Sequence, residues 1–177
     1  MARRADLTGI LLVGGASSRF GSPKALALVG GETLAERAWR VLGEACGERL
    51  ALGKSADGLG LPFPVLDDGN EERAAIVGVA AGLRAATNEL CVVLPVDSAT
   101  ITAAALLELA DACLDAVVPQ MGPLPGAYRR SALRALGEVR SLRAALAELE
   151  VATVELAPAL LVNVNTPADL AQLAAEP

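Results

Sequence analysis

Histidine is absent from all 177 residues, and that absence excludes more chemistry than any single motif. There can be no Ser-His-Asp triad, no imidazole general base and no His-ligated metal. Aromatic residues are nearly missing too: one Trp, one Tyr and two Phe in a chain that is 53% apolar. The core must therefore be aliphatic. Cys46, Cys91 and Cys113 are odd in number, widely spaced and form no C-x-x-C pair. This argues against a disulfide framework or zinc site and for reduced, buried thiols. No apolar run approaches the roughly 20 residues of a membrane span, and Met-Ala-Arg-Arg-Ala-Asp at the start has no secretory h-region. A cytoplasmic protein with no membrane partner is expected. The net charge of −6 speaks against nucleic acid as a partner, which needs a broad basic surface. A local cluster of cations can still focus positive potential in a cleft. Lysine is scarce as well, standing only at positions 24 and 54.

What is present is concentrated between Ile10 and Leu28. Ile10 to Val13 form a continuous apolar run, the pattern of a strand buried on both faces. The run stops at Gly14-Gly15 and gives way to small and hydroxylic residues with Arg19, Gly21 and Lys24. Glycines allow sharp turns and close approach of backbone N–H groups to a ligand, and such groups form anion-binding concavities. Two cations add charge-assisted contacts. The occupant this composition suits carries phosphate. The spacing fits neither the Walker loop nor the dinucleotide fingerprint.

The rest of the chain alternates strand and helix signals. Thr33 and Glu36 make a capping box for a helix ending near Gly47, followed by a strand over 48–52 and a polar loop in which Lys54 is expected to be a solvated surface charge. Phe63 to Leu66 predict a strand that ends in Asp67-Asp68-Gly69-Asn70, either a ligand-facing strand end or an ordinary turn. A helix is predicted over 71–86, then a second buried strand, Leu90 to Pro95, running into Asp97. An acid just past a buried strand is costly unless paired or bound to a cation, and Mg²⁺ is the candidate, held by one or two carboxylates plus phosphate oxygens. A helix over 102–113 and a strand over 116–119 follow. Arg129 and Arg130 reach either an anion or solvent. Ser131 to Gly137 and Leu142 to Leu149 read as helices, the second capped by Ser141. After a strand over 151–156, Thr166, Pro167 and Asp169 open the last helix. The alternation predicts one α/β domain over 1–177, a Rossmann-like three-layer sandwich whose mostly parallel sheet has helices on both faces. The glycine loop, Asp97 and Asn163-Val-Asn165 are expected at strand ends along one sheet edge.

That constellation suits nucleotidyl transfer. An oxyanion attacks the α-phosphorus of a nucleoside triphosphate and pyrophosphate leaves, so the protein positions groups and neutralises charge. A phosphate-monoester nucleophile, with its second pKa near 6, is already ionised at neutral pH and needs no general base.

Leu12, Gly14, Gly15, Ser17, Arg19, Gly21, Lys24 and Leu26 resemble the Leu-x-Gly-Gly-x-Ser-x-Arg-Met-Gly-x-x-Lys-x-Leu signature of the molybdenum cofactor guanylyltransferase family, with Phe20 in the place of Met. Leu94-Pro-Val-Asp97 and Asn163-Val-Asn-Thr-Pro-Ala-Asp-Leu170 are similar to two further motifs of that family. The resemblance implies that Gly15 and Arg19 contact the triphosphate, that Lys24 stabilises the transferred phosphate, and that Asp68 lies near the base. It also implies that Asp97 and Asn165 hold Mg²⁺. The expected catalytic residues are thus Arg19, Lys24 and Asp97. The expected nucleotide-binding set is Leu12, Gly14, Gly15, Ser17, Arg19, Lys24, Asp67, Asp68 and Asp97. GTP and a molybdopterin-type acceptor would be the substrates, with molybdoenzymes or cofactor-biosynthesis proteins as partners. GTP is favoured because Gly14 leaves room for a purine and because Asp67 or Asp68 could accept from guanine N1–H and N2–H₂. Two departures stand against GTP, Ser22-Pro23 before Lys24 and no asparagine in Leu50-Ala-Leu-Gly53; the wording Arg73-Ala-Ala-Ile-Val-Gly78 and the missing second proline in Pro95-Val-Asp-Ser-Ala99 also depart from the family pattern. A cytidylyl or sugar-phosphate nucleotidyltransferase, or a nucleotide-binding protein without activity, remains open at this point.

Overall fold

The computed structural model describes residues 2–14 and 23–175. Gly15, Ser17, Arg19 and Gly21 lie outside the described residues.

Strand β1 (Arg4–Leu12) shows why its apolar run is continuous. Leu7 and Leu11 belong to one apolar cluster and Ile10 and Leu12 to another, so both faces are covered. A hairpin of β2 (Leu28–Val29) and β3 (Glu32–Thr33) follows. It turns through Gly30 and Gly31 at φ 61° and 85°, the positive values that a two-residue primed turn requires at both positions. Helix α1 (Leu34–Ala45) starts at the expected capping box: Thr33 Oγ1 accepts from the Glu36 N–H, and the Glu36 carboxylate accepts from the Thr33 N–H. Then come β4 (Cys46–Gly53), β5 (Val65–Asp67), α2 (Ala75–Ala85), β6 (Leu90–Pro95), α3 (Ala103–Asp111) and β7 (Ala116–Pro119). The chain closes with β8 (Gly126–Arg129), α4 (Leu133–Glu138), α5 (Leu142–Leu146), β9 (Val151–Val154) and α6 (Pro167–Ala175).

Seven strands form one sheet in the order β5-β4-β1-β6-β8-β7-β9. Only β8 runs against its neighbours, so the sheet is mostly parallel as expected. Helices α1 and α3 pack with Leu11, Val92 and Leu94 on one face; α2, α4 and α5 pack with Ile10, Leu12 and Val93 on the other. This is the three-layer α/β arrangement read from the alternation. Helix α2 lies close on β1 because Gly82 carries no side chain: a Cβ there would stand 2.6 Å from Ile10 Cγ2. All three cysteines are buried and free. Burial pushes the Cys46 and Cys91 thiols up to about 12 and the Cys113 thiol up to about 11, so all three stay protonated. No helix among the described residues is long and apolar enough to cross a membrane.

Three local expectations change. The helix predicted from residue 71 begins at Ala75, because three side chains before it, Asp67, Asp68 and Asn70, each bond a backbone N–H two residues on. Gly69 N–H donates to Asp67, Asn70 N–H to Asp68, and Glu72 N–H to the Asn70 side chain, the local bonding by which Asp and Asn compete with helix formation. Asn163 and Asn165 are not at a strand end. A 3₁₀ turn (Pro158–Leu161) precedes them, and Asn163 makes a single antiparallel bridge with Ser98. Arg129 and Arg130 do not simply face solvent, since their Nε atoms donate to the Leu114 and Leu83 carbonyls.

Candidate active site

Strand order reverses at β1: the next two sheet strands, β4 and β5, lie on one side of it and β6 on the other. Ligands of open α/β sheets bind beyond the strand ends at such a switch point. Here a cleft of about 450 Å³ opens there, lined by Leu12, Val13 and Gly14 after β1, and by Pro95 to Ser98 after β6. Gly53, Lys54 and Asp68 line it from the β4–β5 side, Ala75 and Gly78 from α2, and Arg73 and Ala74 from the two residues before that helix.

On the β6 side the fold brings together three residues that are far apart in sequence. Lys24, in a 3₁₀ turn (Lys24–Leu26), donates through Nζ to Asp97 Oδ2 at 3.0 Å and to Asn165 Oδ1 at 3.1 Å. Asp97 is thus paired with a cation from elsewhere in the chain, which corrects the premise that this acid needs a metal to offset its burial. Asn165 is placed by two sets of bonds. The Val164 N–H donates to the Asp97 carbonyl and Ser98 Oγ donates to Asn163 Oδ1. The Asn165 and Thr166 N–H groups both donate to Asp169 Oδ2 at 2.8 Å. These bonds, to Asn165 first, hold the Asp169 carboxyl below its ordinary range.

On the β4–β5 side, Lys54 is not the solvated charge that its loop suggested. Its side chain is only 10% exposed and its Nζ stands 2.6 Å from Asp68 Oδ1, with the Asp68 side chain 8% exposed. The same ammonium donates to the Asn70 and Glu72 carbonyls, fastening the turn before α2. Asp67 and Asp68, equivalent in sequence, separate here. Asp67 accepts from the Ser55 and Gly69 N–H groups. Hydrogen bonding by Ser55, side chain and backbone, and by Gly69 holds its carboxyl down at about 2. It is committed to the turn and does not line the cleft; Asp68 does. Arg73, unmarked in the sequence reading, also lines the cleft, its guanidinium forked onto Asp57 at 2.6 and 3.0 Å.

The cleft therefore gathers Lys24, Lys54 and Arg73 around Asp68 and Asp97. The first turn of α2 has no side-chain cap and no acid, so its N-terminal partial positive charge is not offset locally. An anion suits this cleft even though the chain is acidic overall. The steric argument for a purine at Gly14 is not carried by the protein: a Cβ there would meet Gly53 Cα at 3.5 Å, an ordinary contact. Among the described residues no cluster of three or more acids or thiols could hold a metal ion. Asp97 and Asn165 supply only the carboxylate and amide oxygens gathered at Lys24. Gly15, Ser17 and Arg19, expected at the phosphates, fall outside the described residues. Lysine scarcity was the signal for Lys54: it marked position 24 and applied equally to position 54.

Comparison with known proteins agrees with this picture. Residues 9–156 match the family model described as the MobA-like NTP transferase domain. A probable molybdenum cofactor guanylyltransferase of Deinococcus radiodurans is 36% identical over 185 residues, covering 94% of this chain and 93% of the relative. Another, from Chloroflexus aggregans, is 33% identical, covering 93% and 91%. The crystal structure of molybdopterin-guanine dinucleotide biosynthesis protein A from Archaeoglobus fulgidus shares the fold. It has a TM-score of 0.80 at 23% identity, covering 94% of this chain and 96% of that one.

Proposed function

The chain belongs to the MobA-like NTP transferase family, and on that premise we propose that it is a guanylyltransferase moving GMP from GTP to the phosphate of a molybdopterin-type cofactor. The observation that carries this reading is the convergence of Lys24, Asp97 and Asn165 beside one cleft at the switch point of the sheet.

An oxygen of the acceptor phosphate attacks the α-phosphorus of GTP. The bond from that phosphorus to the α–β bridging oxygen breaks, and its electron pair leaves with pyrophosphate. The acceptor is already anionic at neutral pH, which is consistent with a chain that has no histidine. Lys24 places a compact positive charge at the reacting phosphate, and the uncapped first turn of α2 adds a fixed dipole. The Lys54–Asp68 pair lies across β1 from that charge, where Asp68 would meet the base. The donor set on the other side fits a hard cation. Mg²⁺, held by Asp97 and Asn165 with its remaining positions left to water and phosphate oxygens, would neutralise charge on the triphosphate.

The Asp97→Asn variant tests this assignment. It keeps an oxygen and the side-chain shape but loses the carboxylate, so turnover is expected to fall at least a hundredfold while the circular dichroism spectrum stays unchanged. Activity near that of the parent at saturating Mg²⁺ would remove Asp97 from the mechanism.

A further inference from the structure

Asp68 does not offer a ligand its whole carboxylate. Oδ1 accepts from Lys54 Nζ at 2.6 Å and from the Asn70 N–H at 3.2 Å, which occupies both lone pairs of that oxygen. Among the described residues no donor engages Oδ2. Lys54 is spent as well, its three N–H bonds matched by Asp68 Oδ1, the Asn70 carbonyl and the Glu72 carbonyl. Both side chains are about nine-tenths buried, so the pair is a fixed part of the cleft wall.

We infer that Lys54 is a specificity-determining positioning residue: by saturating one oxygen of Asp68 it leaves Oδ2 as the single acceptor for a nucleobase. The inference rests on the guanine reading above. A carboxylate with two open oxygens grips N1–H and N2–H₂ of guanine together. This one takes a single N–H, so the 2-amino group adds little. Hypoxanthine keeps N1–H and the 6-oxo group and lacks only that amine. ITP is therefore predicted to bind almost as well as GTP. Had Asp68 been bidentate, losing one hydrogen bond to a charged acceptor would weaken ITP by about tenfold or more.

Calorimetric titration of the protein with GTP and with ITP, at one Mg²⁺ and salt concentration, decides the matter without any variant. Dissociation constants within about threefold of each other are expected. A GTP preference of tenfold or more would overturn this inference and leave the guanine reading standing, whereas binding of CTP with neither purine would overturn both. Lys54→Met adds the test of positioning. With Oδ1 released, Asp68 can accept from N1–H and N2–H₂ together, so the variant should come to prefer GTP over ITP by tenfold or more, a ratio that a general loosening of the turn does not move. A GTP-to-ITP ratio unchanged from the parent, whatever the affinity, would reduce Lys54 to a structural residue and contradict the inference.

Discussion

Lys24 and Lys54 are the only two lysines in the chain, and each forms a carboxylate pair at the cleft, with Asp97 and Asp68 respectively. Their consequences differ. On the proposed function Lys24 faces the phosphate chemistry, so Lys24→Ala is predicted to lower kcat by about 10²–10³, the effect of removing one preorganised donor, with the fold intact. Steady-state kinetics check this, and a kcat within threefold of the parent would contradict it. On the inference drawn above, Lys54 acts through Asp68 and shows in the preference between GTP and ITP, not in kcat. The first of these proposed roles was expected from the sequence because Lys24, Asp97 and Asn165 sit in short motifs whose residue types already suggest phosphate and metal chemistry. The second was not, because the partners of Lys54 lie 14 to 18 residues further on and two of them are backbone carbonyls. No side-chain pattern announces a carbonyl. Asp67 and Asp68 were indistinguishable for a similar reason: which one turns into the loop depends on the Ser55 N–H, brought there when β5 pairs with β4.

Elements with caps were readable and elements set by closure were not. The starts of α1, α5 and α6 follow from Thr33 with Glu36, Ser141, and Thr166 with Asp169. Helix α2 has no such cap, and the sequence pattern ran it back into the Asp-Asp-Gly-Asn turn. The reversal of β8 has its cause in the short connection between Pro119 and Gly126, since a parallel crossover needs about a dozen residues or more. The seat of α2 on β1 makes a quantitative prediction. At Gly82 an added methyl meets Ile10 Cγ2 at 2.6 Å, whereas at Gly137 in α4 nothing lies within 4 Å. Gly82→Ala should therefore destabilise by about 1–3 kcal/mol through overpacking. Gly137→Ala should be neutral or stabilise by up to about 1 kcal/mol through helix propensity. Urea denaturation with unchanged m values separates them, and equal effects would contradict the close packing described for α2.

At the scale of the molecule, a chain of net charge −6 concentrates Lys24, Lys54 and Arg73 at the switch point of its sheet. This is how an acidic protein can present a site to a highly charged anion. The class of fold was legible because strand and helix signals alternate along the whole chain, and that alternation has few solutions. The base was not, since Gly14 leaves the purine argument open and Asp68 is shaped by a residue that no motif marks. The central claim is guanylyl transfer to a phosphate acceptor. Its most direct test is the mass of the product formed from a molybdopterin-type acceptor with Mg²⁺ and equal concentrations of GTP and CTP. The account predicts an adduct heavier by one guanylyl group (GMP less water), formed one for one with released pyrophosphate. An adduct carrying CMP, or no adduct and no pyrophosphate with either nucleotide, would contradict it.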